Sequence, residues 1–385
     1  MKKILLVTLD FPPKFGGVGQ YLYNVADFFK KDIAVVTMPH KSSNDFDLKQ
    51  NFKIYREPLL FNFFWLKHLG STFVVWKIFK KEKAAILAIN DILPLGYPAL
   101  ILNLFLKIPY FVFLHGLDFL LAKRNAWKRF WLKKILENAE FVVCNSKYLE
   151  NEVKKLNSRI KTIVVYPSIN FNRMALSDNL ISAKKNFSHV KIEDGSKLFN
   201  KKIIFSLGRL VKRKSFDNLI LAFEKVQKKF PESELIIAGT GPEEIYLKDL
   251  AKNSFCSAKI IFLGEISEEE KQKWFKLCDL FALPVQEING DIEGFGIVFL
   301  EAAVFGKPSI AGRVGGVSEA VVDGETGILV DGNNIDEISE AIMKLLEDDK
   351  LRQKMGEAAK RRAIDEFNID IQISKLQKMI DFSDH

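Results

Sequence analysis

From Leu280 to Gly306 the chain passes from an apolar run, through a glycine-bearing turn, into a helical run. Leu-Phe-Ala-Leu-Pro284 reads as a strand ended by proline, and Glu-Ala-Ala-Val-Phe-Gly306 as a helix ended by glycine. Strand, turn and helix in succession is the unit from which α/β sheets are built. Gly294 and Gly296 bracket the helix start and leave backbone N–H groups uncovered from Gly294 through Phe295 to Ile297. Free amides and the helix dipole favour an anion there. Glu293 and Glu301 flank the element, eight residues apart. That is roughly 12 Å if the interval is mostly helical. One acid could reach a sugar hydroxyl and the other a ribose, with a diphosphate between them. The spacing alone equally suits an ordinary strand–turn–helix with two solvated glutamates.

The same alternation runs through the chain. Lys3–Leu9 is a continuous apolar run, as a buried parallel strand should be. A loop carrying Gly16 and Gly17 follows, then a helix from Gln20 to about Lys30 and a strand over Ile33–Met38. A nicotinamide-type dinucleotide site is disfavoured. The glycines arrive late, with no G-x-G-x-x-G, and no acid ends the second strand. Ala84–Ile89, Tyr110–Leu114, Phe141–Cys144 and Ile163–Tyr166 read as further strands of the first half, and Ser146 as part of the cap of a helix over Lys147–Leu156. Ile203–Gly208, Leu235–Ala238, Ile260–Leu263 and Pro308–Ala311 continue the pattern, and Ile335 to Phe367 is helical in period.

A chain of 385 residues suits two domains. The boundaries read as 1–175 and 201–367, joined by a polar linker over 176–200 and followed by a last helix over 368–385. Cys144, Cys256 and Cys278 are scattered, with no CxxC and no metal spacing, which suits a reducing, cytoplasmic compartment. The first strand is too short and too soon interrupted by Asp10 and Pro12-Pro13 for a signal peptide. The longest apolar run, Ile92–Leu106, holds two prolines and an asparagine and is no spanning helix. Charge is uneven: of the formal +9, residues 1–178 carry about +13 and the rest about −4. Residues 61–83 and 119–134 mix Trp and Phe with Lys and Arg, a composition that suits either an anionic bilayer surface or a core-facing helix with a solvated basic face.

The stretch Asp291–Glu301, with Gly-Lys-Pro-Ser-Ile-Ala-Gly-Arg-Val-Gly-Gly-Val-Ser-Glu319 and Asp-Gly-Glu-Thr-Gly-Ile-Leu-Val330 after it, resembles the E-x7-E region of retaining GT-B glycosyltransferases of family 4, also called glycosyl transferases group 1. The resemblance extends to Gly208-Arg-Leu…Lys214, to Gly-Thr-Gly-Pro-Glu243, to His115-Gly-Leu-Asp118 and to Gly16-Gly17. It implies two facing Rossmann-like domains, with a C-terminal helix that crosses back to the first. It implies a donor site of Gly17, Gly208, Arg209, Lys214, Gly239, Gly241, Ile266, Glu293, Gly294, Phe295, Gly296, Ile297 and Glu301. The acceptor side would be Gly16, Gly17, His115, Asp118 and Ser146. Arg209 and Lys214 would hold the donor diphosphate in place of a metal, and His115 and Glu293 would orient the sugar. The family is assigned a same-face mechanism in which the leaving phosphate helps deprotonate the acceptor. Ser215 stands where glycine is usual, and the cluster Lys212-Arg213-Lys214 leaves the choice of lysine open.

Bacterial mannosyltransferases that use GDP-mannose resemble this chain most in the Glu-Gly-Phe-Gly run, so GDP-mannose is the first donor expected, with another NDP-sugar next. The expected partners are a nucleotide sugar, a glycan or lipid-linked acceptor, and an anionic membrane touched peripherally on its cytoplasmic face. No nucleic acid, metal or resident cofactor is expected. A UDP-sugar-dependent transferase with a soluble acceptor, and a nucleotide-sugar epimerase on the same architecture, are the alternatives.

Overall fold

Four apolar runs of the first half bury every one of their residues, as strands covered by helices on both faces must. The computed structural model describes residues 2–13, 16–41, 43–61, 67–169 and 201–382, so the expected linker lies outside the described residues. The chain divides into two compact units, Met1–Ser168 with Asn368–His385, and Ile169–Phe367.

In the first unit β1 (Ile4–Val7), β2 (Ile33–Thr37), β3 (Lys53–Arg56), β4 (Ile86–Ile89), β5 (Tyr110–Leu114), β6 (Val142–Cys144) and β7 (Thr162–Val164) form a parallel sheet. Their order is β3-β2-β1-β4-β5-β6-β7. Strand order reverses at β1, with β2 on one side and β4 on the other. Right-handed crossovers then put helix Gly17–Phe29 on one face and helices Lys67–Glu82, Ile92–Leu106 and Ala126–Glu137 on the other. One apolar core runs from β1 to β6 beneath the second group, from Leu5 through Val75, Leu95 and Tyr110 to Ile135. Helix Ile369–Phe382, from the far end of the chain, packs on helix Gly17–Phe29.

A buried carboxylate ties the β3 edge together. Glu82 ends a helix with its side chain 2% exposed. It accepts from Lys3 Nζ at 2.6 Å, from Lys53 Nζ at 3.0 Å and from the Tyr55 hydroxyl. Burial works against its charge, but these hydrogen bonds overcome it and hold the carboxyl at about 2, below its ordinary 4.5. A folded-state value below the unfolded one stabilises above pH 4.5, and that stability is lost as pH falls toward 2. Glu82→Gln should therefore cost about 2 kcal/mol at neutral pH. The gap from wild type should close on acidification in urea melts; a gap that ignores pH would refute the assignment.

In the second unit β8 (Lys202–Leu207), β9 (Ser233–Ala238), β10 (Ile260–Gly264), β11 (Leu280–Leu283), β12 (Ser309–Gly312) and β13 (Gly327–Val330) form a parallel sheet. Its order is β10-β9-β8-β11-β12-β13, with the reversal at β8. Phe205, Trp274, Phe275, Phe281 and Phe299 meet at ring distances of 5.2–6.1 Å in the core. Burying each such ring contributes about 2–3 kcal/mol. Ser267 and Glu270 form a reciprocal capping box.

Local differences from the sequence reading have local causes. The first helix starts at Gly17, not Gln20, because Gly16 already serves as its N-cap. The helical run from Ile335 breaks at Asp348, whose carboxylate accepts from Leu351 N and starts a second helix, Asp349–Glu366. Helix Ile297–Val304 begins only at the fourth residue after Glu293, so the interval to Glu301 is half loop and the mostly helical geometry behind the roughly 12 Å figure is not met.

Candidate functional site

Open α/β sheets bind ligands beyond the carboxyl ends of the strands, where strand order reverses. In the second unit that point lies between β8 and β11. The loops leaving these strands carry opposite charges, and they meet. After β8 the chain makes a tight turn over Lys212–Lys214, then enters the left-handed region at Ser215 (φ 52°) before helix Phe216–Lys229. The turn separates the three cations. Lys212 swings out to Asp217 and over the Tyr246 ring. Arg213 and Lys214 both turn to Glu293, after β11. Of the two lysines it is Lys214 that reaches Glu293, with Nζ 2.7 Å from Oε2.

Arg213 Nη1 binds the same Oε2, and its Nε lies 3.2 Å from Asp291 Oδ1. Glu293 Oε1 makes no hydrogen bond among the described residues. One oxygen is fixed and the other is open. Burial would raise the Glu293 carboxyl; the charges of Lys214 and Arg213 and their hydrogen bonds overcome this and hold it at about 2. Burial, more than any other influence, brings the Lys214 amine below its usual range, and the Arg213 charge adds to this. Glu293 is also fixed through its backbone. Gly316 N donates to its carbonyl at 3.3 Å, and a Cβ on Gly315 (φ +55°) would fall 2.3 Å from that oxygen.

Arg209 is exposed at the end of β8 and forms no ion pair among the described residues. Gly208 lies beside the Lys214 stem, 3.8 Å from its Cε by the Cβ that glycine lacks. Gly239 and Gly241 let neighbouring loops close on each other. A Cβ on Gly239 would fall 2.0 Å from the Gly208 carbonyl, and one on Gly241 2.3 Å from that of Leu210. Gly296 (φ +86°) N-caps helix Ile297–Val304 without a side-chain bond, and Gly294 and the half-buried Ile297 stand on either side of the Phe295–Gly296 turn. Phe295 is buried against Phe367 at a ring distance of 5.6 Å, so its side chain is core. Ile266 is half-buried just beyond β10. Glu301 pairs with Lys271 at 2.6 Å, and Lys271 also holds Glu268 at 2.8 Å. Sequence reading missed both Lys271 and the role of Arg213. Each lies in a different element from its partner, so no spacing rule reveals the pair.

In the first unit Gly16 and Gly17 are exposed, and a Cβ on Gly16 would meet nothing within 4 Å. His115 follows β5. Tyr21 meets its ring edge-on at 5.0 Å, and Phe113 stacks at 6.4 Å. Burial depresses its imidazole to about 3, so the ring is neutral, and Nε2 has no hydrogen-bond partner among the described residues. Asp118 sits one turn on. Burial, then the Asp91 charge, lifts its carboxyl to about 6 against backbone hydrogen bonds that lower it. Asp91, which the sequence reading did not single out, lies after β4 and accepts from Leu9 N at 2.8 Å and from the Asn90 amide at 2.9 Å. Ser146 is fully buried, and its hydroxyl is spent on Leu149 N and Asn145 Oδ1 as a helix cap.

Residues 190–362 match the family described as Glycosyl transferases group 1, and residues 15–173 match Glycosyltransferase Family 4. The chain is 26% identical over 395 residues to a GDP-mannose-dependent alpha-(1-6)-phosphatidylinositol monomannoside mannosyltransferase of Mycolicibacterium smegmatis, covering 98% of each chain. It is 27% identical over 362 residues to an uncharacterized glycosyltransferase of Methanocaldococcus jannaschii, covering 93% of this chain and 92% of that one. An Anabaena protein crystallised with UDP and glucose has the same fold, with a TM-score of 0.81 at 19% identity over 99% of this chain and 100% of that one.

Proposed function

Because this chain belongs to the group 1, family-4 glycosyltransferases and has their GT-B fold, we propose that it transfers a hexose, mannose first, from a GDP-sugar to a hydroxyl of a lipid-linked or glycan acceptor, with retention and without a metal. The observation that carries this reading is Glu293, ionised, with Oε2 held by two cations and Oε1 open beside an uncapped helix start. A carboxylate held at about 2 is a poor proton acceptor at neutral pH, so Glu293 orients a sugar hydroxyl and is no general base. His115, in the first unit, is kept neutral by desolvation of its ring and is likewise no general base. Arg209, Lys214 and the amides at the start of helix Ile297–Val304 supply positive potential for a diphosphate. Charge on the diphosphate grows as it departs, so these groups bind the transition state more tightly than the donor. With no general base of suitable pKa at Glu293 or His115, the departing phosphate oxygen takes the acceptor proton on the same face.

The mannosyltransferase relative names GDP-mannose and a phosphatidylinositol mannoside, which ranks GDP-mannose and a lipid acceptor first. No helix among the described residues is long and apolar enough to cross a membrane. The proposed membrane contact is therefore peripheral, through helices Lys67–Glu82, Ile92–Leu106 and Ala126–Glu137, where Phe73, Phe105, Trp127 and Phe130 are exposed among lysines and arginines. A screen of UDP-, GDP- and ADP-sugars with EDTA present, scored by nucleotide release against a membrane extract, should show turnover greatest with GDP-mannose. Preference for a UDP-sugar would overturn the donor, and dependence on added magnesium or manganese would overturn the metal-free mechanism.

A further inference from the structure

Glu293 Oε2 receives two cations, Lys214 and Arg213. On the reading above, on which this inference rests, Lys214 must turn to the donor diphosphate, and it cannot hold both groups with one ammonium at full strength. Its loss would leave Glu293 buried with a single partner. Arg213 is built to be that partner. Its planar guanidinium donates to Glu293 Oε2 through Nη1 while Nε lies in ion-pair range of Asp291 Oδ1 at 3.2 Å, two directions of one rigid group that a lysine point charge does not offer. Its backbone is fixed as well: Gln286 N, at the exit of β11, donates to the Arg213 carbonyl at 2.8 Å, and Gln286 Nε2 lies 3.4 Å from the Lys212 carbonyl. The turn that carries Arg213 is thus stitched to the strand that precedes Glu293. Lys214, by contrast, has Glu293 Oε2 as its one ion-pair partner among the described residues.

We infer that Arg213 is a positioning residue: it holds Glu293 Oε2 throughout turnover, so that Lys214 can exchange Glu293 for the diphosphate while Oε1 stays aimed at the sugar. Arg213 itself touches neither donor nor acceptor. Its removal should therefore appear in kcat and leave nucleotide binding nearly intact.

The test measures donor kinetics and nucleoside-diphosphate affinity for wild type, Arg213→Gln, Arg213→Lys and Asp291→Asn, using the donor that the wild-type screen selects. Arg213→Gln should lower kcat about 100-fold, the scale of a misplaced orienting group. Its affinity for the nucleoside diphosphate should change less than about threefold, since Arg209 and Lys214 remain. Arg213→Lys should recover part of that loss. Asp291→Asn removes the ion pair at Arg213 Nε without touching Glu293, and should lower kcat in the same direction by less. Normal kcat in Arg213→Gln, or a loss confined to nucleotide affinity, would overturn the inference while wild-type turnover leaves the transferase reading standing. Wild-type protein that turns over no nucleotide sugar would overturn both. If Arg213→Gln fails to fold, an unchanged kcat in Asp291→Asn and Arg213→Lys overturns the inference by itself.

Discussion

Alanine at Lys214 should lower kcat by about 10²–10³-fold, the usual cost of removing one charge-stabilising group from a departing anion. Arg209→Ala should fall in the same range. The two differ in what they do to the resting protein. Arg209 is exposed and has no ion-pair partner among the described residues, so its removal should leave the melting temperature unchanged. Lys214 is buried on Glu293, yet Arg213 remains to balance that carboxylate, and the lost lysine was itself held at a desolvation cost. Its removal should change stability little. Steady-state kinetics with a thermal melt of each variant checks both halves. Near-normal kcat in both would remove these residues from the diphosphate, and a kcat loss that tracks a lowered melting temperature would make their role structural.

Charge reversal on the basic aromatic face should abolish binding to anionic vesicles. Arg124, Lys128 and Arg129 are exposed on or beside the helix that shows Trp127 and Phe130. Each cation near an anionic surface is worth about 1 kcal/mol, so replacing the three with glutamate should weaken binding at least about 100-fold. Lys123 is left out, because it holds Glu152 at 2.7 Å and its loss would test the fold instead. Wild type should pellet with anionic vesicles at low salt, and less with neutral vesicles or at high salt. Equal pelleting of the two proteins, or none of either, would leave a soluble acceptor as the better reading.

The sequence announces whatever depends on local order. Continuous apolar runs mark β1, β2, β4 and β5, and Ser267 with Glu270 marks a helix start, because pattern and cap lie within a few residues. Lys-Ile-Tyr-Arg of β3 escapes, since an edge strand with one face partly in water carries no apolar run. The site divides the same way. Glu293, Gly296 and Lys214 are visible in their turns, but which cation meets which carboxylate depends on how separate loops pack. Gly239 and Gly241 show the limit most clearly. Both stand in the sequence as loop glycines, and nothing there tells that the carbonyls of Gly208 and Leu210 close on them in the Cβ direction. Phe295, adjacent to the site in sequence, turns its ring into the core.

Helix Ile369–Phe382 has a consequence for the order in which the protein is made. Gln372, Ile373, Leu376 and Ile380 are buried in the first unit. Gln372 Oε1 accepts from Tyr166 N at 3.1 Å, and the Ile380 carbonyl from Lys2 Nζ at 3.3 Å. The ribosome releases the sheet of that unit long before the helix that seals it, and the whole of Ile169–Phe367 is synthesised in between. During this interval the helix Gly17–Phe29 faces water where it will later meet apolar side chains, and the nascent first unit is open to chaperones or to aggregation. The second unit can close as soon as Phe367 emerges. A premature stop within the last helix would thus damage the end of the chain that was translated first.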